Sequence, residues 1–181
     1  MAPRFTFDFD AVTAIVADAV GQPGNRTFIL QARQGRQMVS LILEKQQVAA
    51  LAASVLQLLE ELEQEHPDLA PLDPDVDAPR LIEPITPAFR VGQMGLGYDA
   101  GQDLIVLVAQ GLPAGDDPEE EEGDLPRARF FATRAQMKAL SEHALEVVAA
   151  GRPECPLCGR PIDPSGHFCP RTNGHAYPLL I

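Results

Sequence analysis

Between Pro67 and Pro87 the chain carries six prolines: Pro67, Pro71, Pro74, Pro79, Pro84 and Pro87. Each lacks a backbone donor and pushes the residue before it out of the helical region, so neither a helix nor an interior strand runs through here. The segment is a linker or a surface-wrapping crossover, and whatever folds lies on either side of it. Before it, Phe5, Phe7 and Phe9 alternate with Thr6, Asp8 and Asp10, the period of a strand with one apolar face. The parity blurs near Ala11, where a bulge or bend is expected, and Val12, Ala14 and Val16 carry on. Gly21-Gln-Pro-Gly24 predicts a turn. Thr27–Ala32 and Met38–Leu43 predict two more strands, joined by a short hairpin at Arg33–Arg36. From Lys45 the spacing changes to three and four. Val48, Leu51, Val55, Leu58, Leu59 and Leu62 then stripe an amphipathic helix that ends near Glu65.

After the prolines the same order returns. Phe89–Tyr98 and Leu104–Ala109 predict strands joined at Asp99-Ala-Gly101, and Ala128–Ala132 predicts a third. Met137, Leu140, Ala144, Val147 and Val148 stripe a second helix, with Thr133 and Gln136 set to form a capping box at its start. Gly24–Ala32 (GNRTFILQA) lies on Gly101–Ala109 (GQDLIVLVA) at an offset of 77, and Gln47–Leu51 (QVAAL) on Gln136–Leu140 (QMKAL) at 89. The 12-residue difference is close to the length of the acidic segment Gly115–Asp124, which reads as a loop inserted in the second copy. The expected fold class is α+β: duplicated βββα units, with antiparallel sheets packed together and two helices laid across them, plus a zinc-ribbon-like tail. The expected organisation is a body over 1–150, with repeats at about 5–65 and 89–150 around the linker 66–88, and a tail over 151–181.

Charge narrows the function. Fourteen Lys and Arg stand against 26 Asp and Glu, a formal charge of −12, and phosphate backbones need cations opposite them. A nucleic-acid partner is therefore not expected. No run approaches the roughly 20 apolar residues of a membrane span, and Thr6, Asp8 and Asp10 interrupt any signal-peptide core after the start. A soluble, cytoplasmic protein with no membrane contact is expected.

All three cysteines fall between Cys155 and Cys169, an odd number in a presumed reducing compartment, which favours metal over disulfide. Cys155-Pro-Leu-Cys158-Gly159 is a turn that lets two thiolates meet one ion, and Cys169 adds a third. The expected cofactor is a structural zinc ion with four ligands: Cys155, Cys158, Cys169 and a histidine. His167, two residues before Cys169, shares its side of an extended strand and is preferred. His175, after an Asn-Gly turn, is the alternative fourth ligand.

Gly21–Ala32 (GQPGNRTFILQA) and Cys155–His175 (CPLCGRPIDPSGHFCPRTNGH), taken together, resemble a bacterial family known as domain of unknown function 3090, over essentially the whole chain. The resemblance implies no defined activity. It implies association with a phosphatase-like protein of the histidine phosphatase superfamily and a kinase-like protein, and it marks Gly-His-x-Cys-Pro as characteristic, which favours His167. Two functions compete. One is a non-enzymatic interaction or adaptor protein. The other is an enzyme or ligand-binding protein acting on phosphorylated metabolites or proteins, with Arg26, Arg33, Arg36, Arg127 and Arg129 lining an anion pocket. No phosphate-cradling loop or nucleophile elbow is present, no catalytic residue is assigned, and His66 and His143 read as ordinary helix histidines, so the first is favoured. One expectation is testable directly. The seven carboxylates of Asp116–Asp124 repel one another, so replacing Gly115–Asp124 with a short Gly-Ser turn should leave the melting temperature unchanged or raise it.

Overall fold

In a computed structural model, residues 4–113, 125–163 and 166–171 are described. The acidic segment and His175 lie outside them. Strand β1 (Phe7–Phe9) is followed by a meander of β2 (Ala14–Gln22), β3 (Asn25–Gln34) and β4 (Gln37–Leu43), then helix α1 (Lys45–Glu65). After the prolines come β5 (Pro87–Asp99), β6 (Leu104–Gly111) and β7 (Arg127–Thr133), then helix α2 (Arg134–Ala149). The fold is mixed α+β. No helix of the described residues is long and apolar enough to cross a membrane.

The strands do not form packed antiparallel sheets, as expected, but one seven-stranded sheet in the order β1-β7-β6-β5-β4-β3-β2. Two of its pairings, β4 with β5 and β1 with β7, are parallel. The physical reason is the length of the connection from β4 to β5. It runs through α1 and the proline segment, and only so long a crossover can set two strands side by side in the same direction. The expected bend near Ala11 is a full break between β1 and β2. Val12 N donates to Phe131 O of β7 at 2.9 Å, while Thr13 N donates to Arg33 O of β3 at 2.7 Å. Adjacent residues thus bond to strands four steps apart in the order. In a flat sheet β7 and β3 would lie about 19 Å apart, at about 4.8 Å per strand step. The sheet must therefore roll until its edges meet.

Rolling encloses one core. Ile15, Leu30, Leu41, Val91, Leu107 and Phe130 from six strands join Val48, Leu51 and Val55 of α1 and Met137, Leu140 and Ala144 of α2 in a single cluster. The opposite face of β3 and β4 is covered by the proline segment. Gln31, 2% exposed, donates to Ile82 O and accepts from Ile82 N, and so stitches the segment onto the sheet. Farther up the same segment, Arg134 at the start of α2 donates to Ala70 O and forms an ion pair with Asp103, whose carboxylate also accepts from Tyr98 Oη. The guanidinium beside it holds the Asp103 carboxyl below the usual carboxylate range, while burial and that carboxylate push Tyr98 up. His66 caps the end of α1, and His143 on α2 contacts Asp18 of β2 at 3.0 Å.

Each helix begins with a capping box built on a glutamine three residues in, Gln47 for α1 and Gln136 for α2. Each of these amides also reaches across to the other half, Gln47 to β5 and Gln136 to the link between β1 and β2. Gln47 Nε2 donates to Val91 O at 3.0 Å and Gly92 O at 3.3 Å; Gln136 Nε2 donates to Val12 O at 3.1 Å. A single side chain thus caps a helix and fixes the bend of a strand. Gln47→Ala and Gln136→Ala should each destabilise the chain by about 1–2 kcal/mol, a lost cap plus an unpaired carbonyl. Urea denaturation of the two variants checks both the size and the similarity of the effects.

Candidate metal centre

The segment from Gly151 makes its own small structure from two tight turns. In the first, Gly159 N donates to Cys155 O and Cys155 N donates to Arg160 O, each at 2.8 Å, which folds Cys158 back over Cys155. Gly159 sits at φ +71°, a left-handed conformation that favours glycine. A bridge between Glu154 and Pro161 and a bond from Ile162 N to Pro153 O carry the ribbon onward. In the second turn Gly166 N donates to Asp163 O at 2.9 Å and reverses the chain. Burial then alternates: His167 is 9% exposed, Phe168 62% and Cys169 2%. That is the side-by-side placement expected of residues two apart on extended backbone.

These turns bring Cys155, Cys158, His167 and Cys169 together, with one ligand atom from each lying within 4.8 Å of all the others. Cys155 Sγ and Cys169 Sγ are 3.8 Å apart, and Cys158 Sγ is 3.1 Å from His167 Nε2. A sulfur–sulfur distance of 3.8 Å is far beyond a disulfide bond of about 2.05 Å. It is close to the edge of a tetrahedron with sulfurs about 2.3 Å from a central ion. The alternative ligand, His175, lies outside the described residues. Ile162, 5% exposed, packs with Cys155, Cys158 and Cys169, and so the cluster is the centre of this segment's only small core among the described residues.

The electrostatics favour a thiolate. Burial pushes the Cys155 thiol up, but the amides of Cys158 and Leu157 and the neighbouring thiols more than offset this and bring it down to about 6. Cys158 goes the other way: burial and the neighbouring cysteines raise it against the pull of the Arg160 amide. The first thiolate therefore forms readily and resists a second. A cation at the centre removes that conflict.

The five strand arginines do not meet in one pocket. Arg129 is held in a two-pronged pair by Asp8, at 3.0 and 2.6 Å. Arg36 borders a cleft with residues 6–9, whereas Arg26 lines a different one beside Lys45 and Arg152. Lys45 and Arg152 carried no motif, and only the alignment of the two halves, which sets Lys45 against Arg134, marks the first of them. Gly159→Ala should loosen the first turn by about 1 kcal/mol, from backbone strain alone, because nothing lies within 4 Å of the added methyl. Faster amide exchange at Cys155 and Ile162, with the sheet unchanged, checks this.

No curated protein and no solved structure matches the chain. A family model described as "Protein of unknown function (DUF3090)" matches residues 7–169, which take in the rolled sheet, both helices and all four clustered side chains. The chain belongs to that family.

Proposed function

We propose that Cys155, Cys158, His167 and Cys169 hold one zinc ion, and that the chain works as a non-enzymatic interaction protein whose zinc-stapled segment presents a surface to a protein partner. The convergence of three thiols and one imidazole within 4.8 Å carries the reading. Zinc takes this donor set in a closed tetrahedron, and a closed site holds structure because no position is left for a reacting water. The apolar content of the segment is small, so metal binding supplies the free energy that its core cannot. Leu157 and Phe168, 49% and 62% exposed, project beside the metal ligands, which supports an apolar docking surface there. By family resemblance, the partner is a histidine-phosphatase-like or kinase-like protein.

We also read the body as an internal duplication. The support is that β2-β3-β4-α1 and β5-β6-β7-α2 follow the same order, each a meander ending in a helix with a glutamine capping box.

Elemental analysis of protein purified without a metal-binding tag should find one zinc per chain. Chelation should unfold the segment after Gly151 and leave the body folded, seen as loss of amide dispersion for Cys155–Cys169 alone. His167→Ala should weaken zinc binding by about 100-fold or more, since even groups that only orient a ligand cost 10–100-fold. His175→Ala should bind as the parent does. Zinc lost from His175→Ala but kept by His167→Ala would reassign the fourth ligand, and protein that never carries metal would remove the staple.

A further inference from the structure

A cleft of about 220 Å³ opens where the β2–β3 hairpin, the start of α1 and the chain leaving α2 meet, lined by Gly24, Arg26, Phe28, Lys45, Gly151 and Arg152. Half of these residues are cations, in a chain of formal charge −12. The Lys45 ammonium lies 3.3 Å, and a guanidinium nitrogen of Arg26 3.8 Å, from the point that a Cβ on Gly151 would occupy. The Arg152 stem passes 2.8 Å from the corresponding point on Gly24. Glycine at both places lets the cations close in. Arg26 is oriented by a bond from Nη1 to Val147 O at 2.8 Å and by the Phe28 ring, 5.2 Å from its guanidinium carbon. Arg152 is braced by Asp163. No carboxylate of the described residues pairs with Lys45 or Arg26.

The corresponding place in the second half shows what is missing. The offset that sets Gly24–Ala32 on Gly101–Ala109 puts Arg26 against Asp103, and the one that sets Gln47 on Gln136 puts Lys45 against Arg134. Asp103 and Arg134 are a two-pronged ion pair, at 2.7 and 2.9 Å, with Tyr98 Oη adding a third bond at 2.8 Å. Cross-strand register sets Ala19, opposite Phe28, in the place of Tyr98, opposite Ile105. One half therefore has a carboxylate between its cation and a hydroxyl. The other has an arginine where the carboxylate stands, a methyl where the phenol stands, and two like charges with no carboxylate of the described residues between them. Like charges this close repel unless an anion lies between them.

We propose that this cleft binds an oxyanion of the phosphoryl class, which takes the place that the Asp103 carboxylate fills in the other half. Arg26 offers a planar fork, Lys45 a compact point charge and Arg152 a further guanidinium, a set that suits a dianion with several oxygens better than a single carboxylate. Inorganic phosphate and the phosphate of a small phosphomonoester share this chemistry. Arg26 and Lys45 belong to β3 and α1, so these two cations stand apart from the zinc proposal, while Arg152 comes from the segment that the zinc would staple.

The test is a titration of the full chain with inorganic phosphate at constant ionic strength, followed by calorimetry and by amide shifts in NMR. Saturable binding at one site is expected, with shifts centred on Gly24, Arg26, Lys45 and Gly151, similar binding of sulfate and much weaker binding of acetate. Lys45→Gln should weaken phosphate binding tenfold or more. Arg26→Asp, which installs the carboxylate of the other half, should abolish it. If that variant fails to fold, Lys45→Gln and Arg152→Gln decide. A parallel titration with glycerol phosphate distinguishes the sources: tighter binding than inorganic phosphate identifies an esterified ligand, weaker binding the free ion. Shifts that do not saturate, or affinity unchanged in Lys45→Gln and Arg152→Gln, would overturn the proposal.

Discussion

One peptide unit holds the sheet closed. Val12 bonds to β7 and Thr13 to β3, so two consecutive residues clamp strands four steps apart in the order. With its edges pinned, the sheet has a concave side that must be filled, and the apolar stripes of α1 and α2 fill it. The closure also decides where the chain can bend. β1 and β2 cannot be one straight strand, because the first belongs to β7 and the second to β3. β5 makes the same passage without a break, pairing with β4 over its first residues and with β6 over the rest. The capping glutamines sit at these two passages, where strand carbonyls leave the regular ladder and need another donor.

Proline content follows from the same geometry. A crossover from β4 to β5 has to leave the end of α1, pass Arg134 and cross to the far face of β3 and β4 before it re-enters the sheet. Chain that follows such a path cannot use its own backbone for regular pairing, so prolines cost little there. What it needs are a few anchors, and Gln31 and Arg134 provide them by bonding to Ile82 and Ala70. Arg134 is buried, yet its Nε and Nη2 are bonded to a carboxylate and a carbonyl, the kind of pairing a charge needs to sit there.

The segment from Gly151 obeys a different rule. Its order comes from two short turns and a cluster of donors, and among the described residues it touches the body at Arg152, which lies over Gly24 and is braced by Asp163. The cluster and the cationic cleft are therefore neighbours along the chain, although their chemistry is separate: soft sulfur donors in one, hard cations in the other.

Local pattern alone determined a good part of this. Strands and helices were legible in periods of two and of three to four, because each depends on residues a few positions apart. The turns at Gly24 and Gly159 and the spacing of Cys155, Cys158, His167 and Cys169 were legible for the same reason: the four side chains span only 15 residues, and short loops leave the chain few ways to bring them together. Tertiary structure decided whatever joins distant residues. That the meanders form one rolled sheet and not two packed ones depends on Val12 finding Phe131. That Arg134 is paired with a carboxylate and Lys45, among the described residues, is not depends on which residue a hairpin some twenty to thirty positions away presents to each helix start. Periodicity says which side of a strand is apolar, but it holds no term for which strand will lie beside it. That choice is made by the whole core when the sheet closes, through contacts that no stretch of sequence contains.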